Sequence, residues 1–381
     1  MLPLLACLVA TQVPIEQPPR LRTLLDNGAV VLVEKRPAAK TLSIVFCASS
    51  RGTEETPTTN GLRHLLEHLI ARGPKGDLDQ TIETAGGFLE AETFRDAMEF
   101  KLTLPAGQLA LGLRTVEQLM QMPVVTTEAI QHEAGIIEQE VALREDSSRF
   151  SAAAWAQCYG LRGLDPMGNL DVIKNATPSM LDKIHRLQFS GPNLAITIVG
   201  DVDLDAATTA CSSVLSKAPK LALTKPGPAA GAGGETTTSA SGEAFALPTP
   251  GWRSPETAAR IAAAFALASE ADDCYVVCTP SAGAGLVLFG RLGVNSGLAR
   301  EVGATPPAEL FNRGRALARS WILGMLDSPE GIAETRAMLL VQEFDLKPET
   351  LLENLDTMSF KSFAAAVAAF RSSSAVAVEG K

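Results

Sequence analysis

Residues 61–73 read GLRHLLEHLIARG. The run is rich in Leu, carries no Pro and meets a Gly at position 73, which predicts a short helix closed by that glycine. On a helix, positions four apart lie one turn apart on one face. His64 and His68 have that spacing, so both imidazoles reach one point, and Glu67 sits on the same side. Neutral imidazole nitrogens suit zinc, and three protein ligands leave a fourth position for water or a carbonyl. Leu62, Leu65, Leu66 and Leu69 supply the packing face. The histidines are therefore not needed to build a core.

A third ligand has to come from elsewhere. Downstream, residues 130–146 read IQHEAGIIEQEVALRED and offer Glu133, Glu138, Glu140 and Glu145. Glu133 and Glu140 are two helical turns apart and share a face, and Glu138 and Glu145 do the same. Spacing alone does not choose between the pairs, and a solvated acidic face has the same appearance.

Around these helices the chain alternates between strand and helix patterns. LRTLLDNGAVVLVEKR (21–36) carries Asn27-Gly28 between apolar runs, a hairpin signal. TLSIVFCAS (41–49) reads as a strand, 78–87 as a helix stopped by two glycines, and 88–105 as a strand pair. Helices are expected over 108–120, over 126–147 with an Ala-rich continuation at 150–160, and over 179–189, with a strand at 193–202. Residues 217–245, rich in Pro, Gly, Ala, Ser and Thr, read as a linker or exposed loop. This divides the chain into a 1–20 tail or trimmed signal, a zinc-binding unit at 21–216 and a second unit at 246–381. The second unit predicts a helix near 255–270, strands at 274–279 and 285–292, helices at 307–326, 330–343, 348–355 and 360–370, and a closing strand at 373–379.

Bulk properties narrow the function classes. The 381 residues carry a net charge of −10 and no basic stripe, which speaks against a nucleic-acid partner. The six cysteines form no CxxC pair and read as free or structural thiols. The apolar start, MLPLLACLVATQV, is too short to span a membrane and lacks a basic leader region. It fits a trimmed export signal as well as a plain tail, so bacterial periplasm and cytoplasm both stay open.

Two longer stretches carry a resemblance. SSRGTEETPTTNGLRHLLEHL (49–69) and IETAGGFLEAETFRDAMEFKLTLP (82–105) resemble the pitrilysin/insulinase family of inverted-motif metallopeptidases. Within it they are most similar to short bacterial relatives of the mitochondrial processing peptidase β subunit. DPMGNLDVIKNAT (165–177) and FSGPNLAITIVGDVD (189–203) extend the likeness, which covers about residues 22–215. It implies an α+β fold of two related α/β-sandwich domains, the second shortened and divergent. It also implies one Zn2+ per chain held by His64, His68 and Glu140, which lies 72 positions after His68. Glu67 is then the general base, and Glu133 the acidic partner of a ligand histidine.

The resemblance further implies a peptide substrate added as a strand along Phe88, Leu89, Glu90, Ala91, Glu92 and Thr93. The family usually has Asn where this chain has Glu90, and an acidic residue there implies either a preference shifted toward basic peptides or weaker transition-state contacts. The Arg and Tyr with which the family holds substrate in its second half have no counterpart that can be placed. Family members enclose peptide in four such domains, so a chain with two implies a homologous second subunit, a heterodimer favoured over a homodimer. A non-catalytic subunit of the same fold, and a generic binding module with incidental His and Glu residues, are the alternative readings.

Overall fold

The structure is a computed structural model that describes residues 18–221, 242–283, 285–293, 298–303, 305–343, 345–373 and 375–376. Strand β1 (Arg20–Leu24) turns at Asn27-Gly28 into β2 (Val30–Lys35), and β3 (Thr41–Ser49) follows. Gly28 takes φ +92°, the left-handed conformation the turn requires. Helices α1 (Leu62–Ala71) and α2 (Leu78–Thr84) precede a hairpin of β4 (Phe88–Thr93) and β5 (Ala97–Pro105). Then come α3 (Leu109–Leu119), α4 (Thr127–Leu143), α5 (Asp146–Tyr159), α6 (Leu170–Lys174), α7 (Pro178–Gln188), β6 (Leu194–Gly200) and α8 (Leu204–Leu215).

The six strands form one sheet in the order β1-β2-β6-β3-β5-β4. Its central strands are buried on both faces, which is why TLSIVFCAS reads as an unbroken apolar run rather than an alternating one. Leu42, Ile44 and Phe46 enter the core under the helices, while Val45 and Cys47 face the opposite side. Among the described residues, strand β4 pairs only with β5, which leaves its other backbone edge open.

The second half begins with β7 (Gly242–Thr249), so the last residues of the stretch read as a linker are strand. Helix α9 (Pro255–Ala268), β8 (Cys274–Thr279), β9 (Gly285–Leu292), α10 (Leu298–Glu301), α11 (Pro307–Gly324), α12 (Pro329–Gln342), α13 (Glu349–Asp356) and α14 (Phe360–Ser372) complete it. These strands form a three-stranded sheet, β7-β9-β8. One face is covered by α9, whose run of small alanines is buried almost all round. Of the expected final strand, the described residues show a bridge between Ala244 and Val376, and residues 374 and 377–381 lie outside the described residues.

The halves exchange helices. The single helix expected over 126–147 breaks at Arg144, whose ψ of 133° is extended, and the chain restarts as α5. Helix α5 then lays Phe150, Ala154, Trp155 and Tyr159 on the second sheet, and Tyr159 Oη donates to the Gly285 carbonyl at 2.7 Å. In return α12 lays Ile332, Ala333, Ala337 and Val341 on the outer face of the first sheet. Each sheet is thus closed by a helix from the other half, and neither half buries its apolar surface alone.

The α+β expectation holds, with the second sheet half the width of the first. The five described cysteines, Cys47, Cys158, Cys211, Cys274 and Cys278, are free thiols, and Cys7 lies outside the described residues. No helix among the described residues is long and apolar enough to cross a membrane.

Candidate metal centre

The start of α1 is set by the loop before it. Gly61, at φ +97°, precedes the helix, and the Glu55 carboxylate accepts the backbone N–H groups of Gly61 (2.9 Å) and Arg63 (3.3 Å). That satisfies donors a helix N-terminus leaves without intrahelical partners. Asn60 ties the loop to a second turn by donating to the Asp165 carbonyl at 2.9 Å. The two turns meet back to back at glycines. A Cβ placed on Gly168 would stand 2.2 Å from the Gly61 Cα. This contact brings the Met167 carbonyl to α1.

His64 Nδ1 lies 3.1 Å from that carbonyl oxygen. A carbonyl only accepts, so Nδ1 carries the proton and Nε2 holds a free lone pair. His68 Nδ1 lies 3.3 Å from Glu133 Oε2, which fixes the same tautomer. The two Nε2 atoms therefore face each other, 3.2 Å apart. Glu140 Oε2, reaching over from α4, stands 3.4 Å from His64 Nε2 and 3.5 Å from His68 Nε2. Zinc at about 2.0–2.1 Å from each of three tetrahedral ligands sets them about 3.3–3.4 Å apart. The donor triangle has that size, its chemistry of two imidazoles and a carboxylate suits zinc, and both lone pairs converge. The residues present fit the metal.

Glu67 is 5% exposed, and its ligand atoms lie within 4.8 Å of those of His64 and His68. Burial pushes its carboxyl above the usual range, although both imidazoles and the Thr93 hydroxyl, which donates to Oε2 at 3.3 Å, pull the other way. At His68, burial disfavours the imidazolium, but the bond to Glu133 and the surrounding carboxylates outweigh it and raise its basicity. At Glu133, burial likewise opposes ionisation and is outweighed by the bonds from His68 and Arg72, which hold it below the ordinary value. The bond to His64 first, and then His68, holds Glu140 low as well.

A cavity of about 790 Å³ opens over the histidines. Leu89, Ala91, Glu92 and Thr93 of β4 line it, whereas Phe88 and Glu90 do not. The Glu90 carboxylate pairs with Lys101 Nζ at 2.8 Å, and that ammonium also reaches Glu334 of α12 at 3.3 Å. Its charge is thus partnered and stands outside the cavity lining. Of the described residues of the second half, only Thr279 lines the cavity.

Among the other acidic candidates, Glu138 pairs with Lys174 at 2.8 Å on an exposed face, and Glu145 accepts from the Ser147 hydroxyl at 3.4 Å. Neither turns toward the histidines. Two participants were not singled out by sequence reasoning. One is the Met167 carbonyl, which lies in the DPMG turn already noted but acts through backbone that no side-chain pattern reveals. The other is Arg72, whose Nη1 donates to Glu133 Oε1 at 2.6 Å; its place one turn after His68 was the available signal.

The chain is similar in sequence and fold to known proteins. Residues 30–157 match the family described as Insulinase (Peptidase family M16). An uncharacterized zinc protease of Streptomyces coelicolor is 23% identical over 192 residues, 48% of this chain and 41% of the relative. The mitochondrial-processing peptidase subunit beta of Blastocladiella emersonii is 27% identical over the same shares. The match thus spans well under half the length of these relatives. A solved protease structure from Helicobacter pylori superposes with a TM-score of 0.78 at 17% identity, covering 94% of this chain and 99% of that one, which shows the fold of the described residues of both halves. Sequence match and fold point the same way: residues 30–157 carry a match to the insulinase family, peptidase family M16.

Proposed function

We propose that the chain is the zinc-bearing subunit of an endopeptidase that hydrolyses peptides or unfolded polypeptides in a chamber completed by a second chain. The observation that carries this reading is the triangle of His64 Nε2, His68 Nε2 and Glu140 Oε2, at 3.2, 3.4 and 3.5 Å. Zinc held there would supply Lewis-acid polarisation of a water and of a peptide carbonyl. Glu67, buried and with its carboxyl pushed up, is suited to take a proton from that water and return it to the leaving amine. Thr93 anchors the Glu67 carboxylate on the side facing β4.

The free edge of β4 supports strand addition. An extended peptide along it would satisfy its backbone groups against the edge, with Leu89, Ala91 and Thr93 set toward the cavity. The open side of the cavity supports a homologous partner, a heterodimer in preference to a homodimer. The second half contributes only Thr279 among its described residues, and the relatives extend far beyond the matched segment.

The test is zinc content together with cleavage of quenched peptides, alone and with the product of an adjacent homologous gene. Glu67→Gln is expected to keep zinc and lose hydrolysis by about 10²–10⁴-fold. Glu140→Gln is expected to lose zinc. A wild-type protein without stoichiometric zinc, alone and in its complex, overturns the reading.

A further inference from the structure

Resting on that reading of the site, we propose that Arg72 is a positioning residue of the metal centre, acting on His68 through Glu133. Three links carry it. Arg72 Nη1 donates to Glu133 Oε1 at 2.6 Å. Glu133 Oε2 lies 3.3 Å from His68 Nδ1. His68 Nε2 is one corner of the donor triangle. Each oxygen of the carboxylate thus has its own charged or polar partner, and the chain from guanidinium to ligand nitrogen is continuous.

The geometry explains why the first link matters. The Glu133 side chain is only 3% exposed, whereas that of Arg72 is 48% exposed. A buried carboxylate needs both oxygens satisfied. Arg72 follows the last residue of α1, one turn after His68, and its backbone N–H still points at the His68 carbonyl. Gly76, at φ +73°, leaves room beside the guanidinium, with its missing Cβ 3.8 Å from Nη2. The guanidinium therefore reaches the carboxylate from the helix that bears the ligand, and the ligand and its outer support share one rigid element. Without it, Oε1 has no partner, the carboxylate rotates, and His68 loses the fixed acceptor that directs its Nε2 lone pair inward. Groups behind a ligand histidine commonly set metal affinity by this route.

The experiment is competitive zinc titration against a chromogenic chelator on the purified chain, with Arg72→Met, Arg72→Lys, Glu133→Gln and the Arg72→Met/Glu133→Gln double variant. Thermal melts of the metal-free proteins establish that each is folded. Arg72→Met is expected to weaken zinc binding about 10–100-fold. Arg72→Lys, which keeps a cationic donor, is expected to restore most of it. The double variant is expected to bind no more weakly than Glu133→Gln, because the two residues act in series. Unchanged zinc affinity in Arg72→Met, or additive losses in the double variant, overturns the proposal. So does a rise in KM for peptide with zinc affinity unchanged, which would make Arg72 a substrate contact. A wild-type chain that binds no zinc instead overturns the peptidase reading itself.

Discussion

The Nε2 atoms of His64 and His68 stand 3.2 Å apart with both rings pinned from behind, His64 by the Met167 carbonyl and His68 by Glu133. Two lone pairs so placed repel unless a cation lies between them. The backbone of one turn and the carboxylate of a second helix hold open a geometry that the two side chains alone would not keep.

That arrangement predicts a stability linked to metal. Binding to the folded state alone stabilises it by about 2.7 kcal/mol when free zinc is 100 times its dissociation constant. Chelation is expected to lower the melting temperature of the wild-type chain, and zinc to restore it. His64→Ala is expected to melt at one temperature with or without zinc. Superimposable wild-type melts with chelator and with added zinc would contradict the prediction.

Gly168 is expected to be intolerant of any side chain. Its φ is +88°, and a Cβ would meet the Gly61 Cα at 2.2 Å and the Gly61 N at 2.9 Å. Because both neighbours are backbone, no rotamer change relieves the contact. Gly168→Ala is expected to cost about 2–4 kcal/mol in urea unfolding and to weaken zinc binding by shifting the Met167 carbonyl. Gly107, at φ +87° with nothing within 4 Å, is the control. Gly107→Ala meets only the backbone penalty of about 1–2 kcal/mol and is expected to leave zinc affinity alone. Equal losses in the two variants would show that the crowding at Gly61 is not what matters.

Glu99 is expected to make the fold sensitive to pH, away from the candidate metal centre. It is buried on β5 where α12 covers the sheet, and Cys47 Sγ lies 3.7 Å from its Oε2. Burial first, and then the carboxylates of Glu334 and Glu92, push its carboxyl from 4.5 up to about 8. The folded chain therefore holds this proton across a window in which the unfolded chain has released it. Stability from this group is full below about 4.5 and declines as pH rises to about 8, by an amount on the order of a few kcal/mol. Glu99→Gln, neutral at every pH, is expected to flatten that decline and to unfold at higher urea than wild type at pH 8.5. Parallel pH dependences of the two proteins would refute it.

Much of the first half was legible in the residues. The strand at 41–49 and the strands at 274–279 and 285–292 carry the bounds read from their apolar runs. The turn at Asn27-Gly28 and the helix bearing His64 and His68 follow from local patterns that glycine punctuates. Helix α8 and strand β7 were not read. The first is rich in Ala, Thr and Ser rather than in large apolar residues, and the second opens inside a stretch of linker-like composition. The break at Arg144 was also invisible, because it depends on α5 finding the second sheet rather than on a Pro or Gly in the chain.

The sequence by itself determined the pair of imidazoles and the carboxylate beside them, since helix periodicity alone brings i, i+3 and i+4 to one side. It also determined that Glu133 and Glu140 share a face, without saying which acidic pair would turn inward. Only the tertiary structure decided that. Helix α4 crosses α1 with Glu140 over both Nε2 atoms and sends Glu138 to Lys174. The same packing brought Arg72 to Glu133 and Met167 to His64. These contacts join residues that are far apart in the chain, or a side chain to a backbone carbonyl. No local periodicity encodes such distances, because they are set by how whole helices and strands pack.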